Sequence, residues 1–121
     1  MLVHGLAFDR RSWQPIIDRL GDSVSSLAID LPAHGENKGE PVPMPDVADQ
    51  FHGLVQAPGL ERPIGVGQSI AAAAAGLSAA TDPTRGIVII DQATAGLRAV
   101  IEHCNRPGRA PASLSPAWYP A

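Results

Sequence analysis

Pro63-Ile64-Gly65-Val66-Gly67-Gln68-Ser69-Ile70-Ala71-Ala72-Ala73-Ala74-Ala75 decides how the rest of this chain is read. A short apolar run leads into a Gly-x-Ser-x-Ala turn and then into an alanine-rich helix former, so the order is strand, sharp turn presenting a serine, helix. That order builds a nucleophile elbow, in which the serine sits in a strained turn at the top of a strand. The helix behind it points backbone N–H groups at any charge that develops there. Small residues must stand two positions to either side of the serine because strand and helix approach closely; Gly67 meets that need and Ala71 meets it less fully. The pentapeptide is made of common residues, so its weight depends on its surroundings.

Two further segments give it that weight. Met1-Leu2-Val3-His4-Gly5 is a short apolar run ending in His-Gly, with Trp13 eight residues beyond the glycine. Leu27-Ala28-Ile29-Asp30-Leu31-Pro32-Ala33-His34-Gly35 is a second apolar run ending in an Asp-x-Pro-x-His-Gly turn. In this order and spacing the three segments resemble the N-terminal half of the α/β-hydrolase family, from about Leu2 to Asp91. The resemblance implies a partial α/β-hydrolase fold of the α/β class: about four parallel strands with flanking helices in three αβα layers. It further implies that the chain starts at the third of the family's eight strands and ends before those that deliver the acid and the histidine.

Composition narrows the class. A chain of 121 residues with 45% apolar and 17% charged residues describes one soluble globular domain. The net charge of −3 and the scatter of nine Lys and Arg leave no basic footprint for nucleic acid. The single cysteine, Cys104, excludes an internal disulfide, and His4, His34, His52 and His103 lack tight ligand spacing, so no metal site is readable. The most apolar window, Ile70 to Ala80, is too short and too weakly hydrophobic to span a bilayer, and a cytoplasmic location is expected.

Along the chain, apolar runs at Leu2 to His4, Leu27 to Leu31, Ile64 to Gly67 and Ile87 to Asp91 read as strands buried on both faces of a parallel sheet. Between them Trp13, Ile16, Ile17 and Leu20 share one helix face, with Ser12 as N-cap and Gly21 as stop. Val47, Phe51, Leu54 and Val55 share another, opened by Pro45 and closed before Pro58-Gly59. A third helix is expected from Ser69 to about Ala80. A fourth pattern runs through Leu97, Val100, Ile101 and Cys104. Residues 1–105 thus form the partial hydrolase domain, and 106–121, with four prolines and no period, a tail or the start of a further segment. Alternating strands and helices imply right-handed crossovers. The resemblance adds the strand order, with the crossover direction reversing between His4 and Ser69, and ligands bind at such a switch point.

The resemblance also assigns chemistry. Acyl transfer needs a nucleophile, a base, a carboxylate to orient the base, and two oxyanion donors. Ser69 takes the nucleophile position, and the backbone N–H groups of Ile70 and Leu6 take the donor positions; the rival reading of Ser69 is a helix N-cap without chemistry. Asp91, ending the strand after the elbow helix, is a candidate acid beside its reading as a cap or turn residue. His103 is the only histidine after Ser69, the chain order the family requires of its base. Its place on the helix pattern points it to solvent and counts against that role. His4 reads as a structural brace for the oxyanion loop, His34 as a maker of local hydrogen bonds, His52 as part of a solvated helix face, and Asp30 as a turn residue.

The leading expectation is a serine hydrolase acting on a small ester-like or related acyl or carbon-bonded substrate, with no cofactor. The alternative is a catalytically incomplete remnant or binding module that lacks the base and self-associates through exposed sheet edges. A nucleotide-binding α/β unit ranks third, because His4-Gly5-Leu6-Ala7-Phe8 holds one glycine and no lysine for a phosphate.

Overall fold

The computed structural model describes residues 1–81 and 84–91. The expected helix through Leu97 to Cys104, with His103, and the proline-rich stretch 106–121 lie outside them.

Four parallel strands, β1 (Leu2–Val3), β2 (Ala28–Ile29), β3 (Ile64–Gln68) and β4 (Gly86–Ile90), form one sheet in the order β2-β1-β3-β4. Leu2 pairs with both Ala28 and Val66, and β3 pairs with β4 from Ile64↔Gly86 through Gln68↔Ile90. From β1 the chain steps outward to β2, then returns across β1 to β3 and on to β4. That reversal is the expected switch point. With right-handed crossovers it sets the β1–β2 connection on one face of the sheet and the two later helices on the other.

Those helices are α2 (Met44–Val55) and α3 (Ile70–Thr81). Pro43 precedes α2 with an extended backbone, and a proline stands in its first turn, where a missing N–H costs nothing. Val47, Phe51, Leu54 and Val55 are all buried, as their spacing predicts. Val47, Phe51 and Leu54 meet Val3, Ile29, Leu31, Ala71 and Ala74 in the core. Ala71 to Ala75 are each 3% exposed or less, and five successive residues go all the way round a helix, so this turn of α3 is enclosed by α2 as well as by the sheet.

Some expectations fail for identifiable reasons. β1 and β2 are two residues each, shorter than their apolar runs, because beyond them the backbone bonds to side chains: the Leu31 N–H donates to His4 Nε2 (3.0 Å). Ser12 is no helix cap. Asp9 caps a 3₁₀ turn over Arg10–Trp13, accepting from the Arg11 N–H at 2.8 Å, and Ser12 Oγ donates back to the Asp9 carbonyl. α1 (Gln14–Leu20) follows and stops at Gly21 with φ 55°, as expected, yet of its apolar face only Trp13 is buried, while Ile16 and Leu20 are exposed. β4 is not buried on both faces: Ile87, Val88, Ile89 and Ile90 are 37–46% exposed, since β3 is its one partner among the described strands.

Candidate active site

Ser69 stands between the last residue of β3 and the first of α3, with φ 52°, in the left-handed region that L-residues rarely occupy. Its N–H donates to the Ile90 carbonyl at 2.8 Å, and its carbonyl accepts from the Ala72 N–H at 3.0 Å, so the neighbouring strand β4 and the helix α3 hold the turn. The glycine before it is required. A Cβ at position 67 would lie 2.6 Å from the Ala71 carbonyl oxygen and 2.7 Å from Ala72 Cα, both backbone atoms that cannot swing away.

The loop after β1 packs against this turn. A Cβ at Gly5 would stand 3.2 Å from Ser69 Cβ and 3.8 Å from the Phe8 ring, so the bare backbone of Gly5 leaves the serine room. The Leu6 N–H and the Ile70 N–H, the latter at the first position of α3, donate to nothing within the described residues. Leu6 and Phe8 are 65% and 51% exposed, an apolar rim beside Ser69.

Three side chains tie that loop to the turn after β2. His4, fully buried, accepts from the Leu31 N–H through Nε2, which leaves Nδ1 protonated and donating to the Gly5 carbonyl at 2.8 Å. Burial holds its pKa below the ordinary histidine value, and this outweighs the pull of the Asp30 carboxylate 3.8 Å away. The Asp30 carboxylate is also buried. It accepts from the Arg10 N–H (2.7 Å), Arg10 Nη1 (3.0 Å) and the Glu36 N–H (3.0 Å). Gly35, at φ 53°, leaves room for it, since a Cβ there would overlap the carboxyl group. Arg10 reaches on to Glu36, and this hydrogen bond raises the arginine pKa and lowers that of the glutamate. His34 places Nδ1 2.8 Å from the Pro32 carbonyl and Nε2 2.7 Å from the Leu6 carbonyl; a ring with one N–H satisfies one of them at a time.

Set against the sequence reading, His4 is the expected brace. Asp30 is more than a turn residue, because it joins two loops. His34 bonds across 28 residues as well as locally. His52 is half-buried and pairs with Gln56 at 2.9 Å, so it is no merely solvated group. Asp91 directly follows β4, exposed, with φ 53°. Sequence reasoning missed Arg10 and Glu36 as partners of Asp30, since no spacing signal joins positions 10, 30 and 36.

The strand–turn–helix around Ser69 and the reversed strand order define an α/β fold of hydrolase type, and the alpha/beta hydrolase family model matches residues 1–121. The chain belongs to the alpha/beta hydrolase family. It is similar to the pimeloyl-[acyl-carrier protein] methyl ester esterase of Pectobacterium atrosepticum, with 33% identity over 86 residues, 70% of this chain and 32% of that protein. The chain thus spans about a third of that relative's length. No solved structure matches it significantly. No helix among the described residues is long and apolar enough to cross a membrane.

Proposed function

We propose that this chain carries the nucleophile and oxyanion half of a serine esterase site, acting on carboxylic esters whose acyl part is apolar. The observation that carries the reading is Ser69 at φ 52° with the N-terminus of α3 behind it and the Gly5 backbone against its Cβ. Ser69 Oγ adds to the ester carbonyl carbon and its proton passes to a base. The oxyanion accepts from the N–H groups of Ile70 and Leu6, each worth roughly 3 to 4 kcal/mol in the transition state. The C–O bond to the alcohol then breaks, the base returns the proton to the leaving oxygen, and water releases the acid from the acyl-serine. Leu6 and Phe8 suit an apolar acyl chain, and the relative's name, a methyl ester esterase, supports an ester substrate.

The base comes from outside the described residues, because both ring nitrogens of His4 hold partners, both of His34 face backbone carbonyls and His52 is engaged with Gln56. His103 and, as orienting acid, Asp91 are the residues of this chain in the required order. The same engagement of the described histidines favours a second reading, a binding module without turnover. Labelling with a fluorophosphonate, read by intact mass with Ser69→Ala as control, separates them. Stoichiometric labelling lost in the variant supports the esterase, and no labelling in a folded sample overturns it in favour of the module.

A further inference from the structure

His34 faces more acceptors than a neutral ring can satisfy. Its Nδ1 stands 2.8 Å from the Pro32 carbonyl and its Nε2 2.7 Å from the Leu6 carbonyl. A neutral imidazole has one N–H and one lone pair, so one of these contacts would set a lone pair against an oxygen. The imidazolium, with two N–H groups, is the form that makes both hydrogen bonds. The backbone that carries the ring is itself held: the His34 N–H donates to the Leu31 carbonyl at 3.0 Å, and its carbonyl accepts from the Asn37 N–H at 2.9 Å.

The Leu6 end of this contact matters for the proposed oxyanion donor. The Gly5 carbonyl accepts from His4 Nδ1 at 2.8 Å and from the Phe8 N–H at 3.1 Å. It shares a planar trans peptide with the Leu6 N–H, which therefore points the opposite way. The Leu6 carbonyl belongs to the next peptide, and His34 is the side chain that meets it. Each of the two planes that join at Leu6 Cα is thus held by one histidine: His4 sets the tilt of the first, and His34 anchors its far end.

The ring facing His34 is that of His4, with centroids 5.1 Å apart, and burial lowers the His4 pKa, so this neighbour favours its neutral form and leaves the charge to His34. Of the other charged groups in these loops, Arg10, Arg11, Asp30 and Glu36 pair with one another, Asp9 accepts from the Arg11 N–H, and Lys38 donates to the Gly35 carbonyl. A ring left with one proton keeps one contact. The Pro32 bond closes within its own turn whatever the other loop does. The Leu6 bond spans 28 residues and holds a segment carried by a two-residue strand, so it costs more order to keep.

We propose that His34 is a positioning residue for the oxyanion segment and that its proton count sets the hold. Doubly protonated, it ties Leu6 to the turn after β2; on losing a proton, it keeps Pro32 and releases Leu6. The effect of that release on catalysis rests on the esterase reading of Ser69, whereas the tie itself does not.

Imidazole ¹⁵N and backbone carbonyl ¹³C shifts of the intact chain, followed from about pH 5 to 8, test the tie without turnover. The Leu6 carbonyl shift should move with the same midpoint as the His34 ring and stay flat in His34→Gln, whose amide donor does not titrate. A Leu6 carbonyl that ignores the His34 titration in the unsubstituted chain overturns the proposal, and so does one that moves equally in His34→Gln. The rate of Ser69 labelling by a fluorophosphonate reads the consequence. Taken as the ratio of His34→Gln to the unsubstituted chain, which cancels the titration of the base, it should rise about tenfold over the same range, less than the roughly 10² to 10³ for removing a donor outright. A constant ratio overturns the positioning role. No labelling of either chain sinks the esterase reading and the positioning role with it, while the carbonyl shifts still decide the tie.

Discussion

Replacing Asp30 by Asn removes one charge and about the volume of nothing else, which makes it the cleanest probe of the ties that hold the loop before Ser69. The carboxylate uses both oxygens: Oδ1 takes the Arg10 N–H at 2.7 Å, and Oδ2 takes Arg10 Nη1 and the Glu36 N–H, each at 3.0 Å. An amide has one oxygen. Turned to keep the Oδ2 partners, it presents its NH₂ to the Arg10 N–H, donor against donor. One hydrogen bond to a charged acceptor is then lost, about 1.5 to 3 kcal/mol, and two more weaken as the acceptor becomes neutral. Breaking a fully buried charge pair costs about 3 to 5 kcal/mol. The Asp30 side chain is 3% exposed, but that of Arg10 is 31% exposed and screened by water, so the expected loss is about 2 to 4 kcal/mol. Urea unfolding reads it as a shift of midpoint at unchanged slope. Arg10→Met leaves Asp30 its two backbone donors and should cost less, and the double variant should cost less than the sum of the two singles. A loss below about 1 kcal/mol for Asp30→Asn, or strict additivity with Arg10→Met, would refute the account of Asp30 as the joint between the two loops.

Gly67→Ala should destabilise by at least the upper end of the roughly 1 to 3 kcal/mol typical of overpacking, because the new Cβ meets backbone 2.6 Å away; urea unfolding checks it, and a neutral result would mean that strand and helix can part. Phe51→Ala, at a fully buried position in the core, should cost about 3 to 5 kcal/mol in the same assay. For His4 the folded pKa lies below the ordinary 6.5, so the folded chain binds fewer protons than the unfolded one: its contribution is complete above about pH 6.5 and is lost as pH falls toward the folded value, at up to about 1.4 kcal/mol per pH unit. Glu36, whose pKa is lowered from 4.5 by Arg10, acts in the same direction only at more acid pH, so unfolding free energies measured from pH 7.5 downward should begin to fall first in the histidine window, and a flat profile there would contradict a buried neutral His4.

Much of this fold could be read from the chain because its two strongest signals are local. A turn that needs Gly67 and a helix that needs Ala71 to Ala75 are dictated by close approach within a dozen residues, and the Val47, Phe51, Leu54, Val55 face states its own burial by period. The extent of the first two strands was not legible in the same way. A residue leaves a ladder when a side chain elsewhere outcompetes the neighbouring strand for its N–H, as His4 does for Leu31 across 27 residues, and no spacing announces that. The partners of Asp30 were hidden for the same reason. An Asp closing an apolar run and heading for burial implies donors, so the need was visible even though Arg10 and Glu36 were not. β4 misled because a continuous apolar run is the same string whether it lies at the centre of a sheet or at its edge.

The shortness of β1 and β2 bears directly on the proposed chemistry. Two-residue strands supply few ladder bonds, so backbone pairing by itself would let the segment from Gly5 to Phe8 drift relative to Ser69. The chain compensates with side chains: His4 ties the start of that segment to Leu31, His34 meets the Leu6 carbonyl, and Asp30 grips the backbone of Arg10 at its far end. An oxyanion donor is useful only where its N–H already points at the place the charge will appear, since reorientation during the reaction would consume the stabilisation it offers. The Leu6 N–H lies between the His4 and Asp30 ties, and the Leu6 carbonyl lies 2.7 Å from His34 Nε2. The three ties therefore fix both ends and the middle of the one segment whose orientation the proposed mechanism requires. The other donor, the Ile70 N–H, needs no such brace because α3 sets its direction.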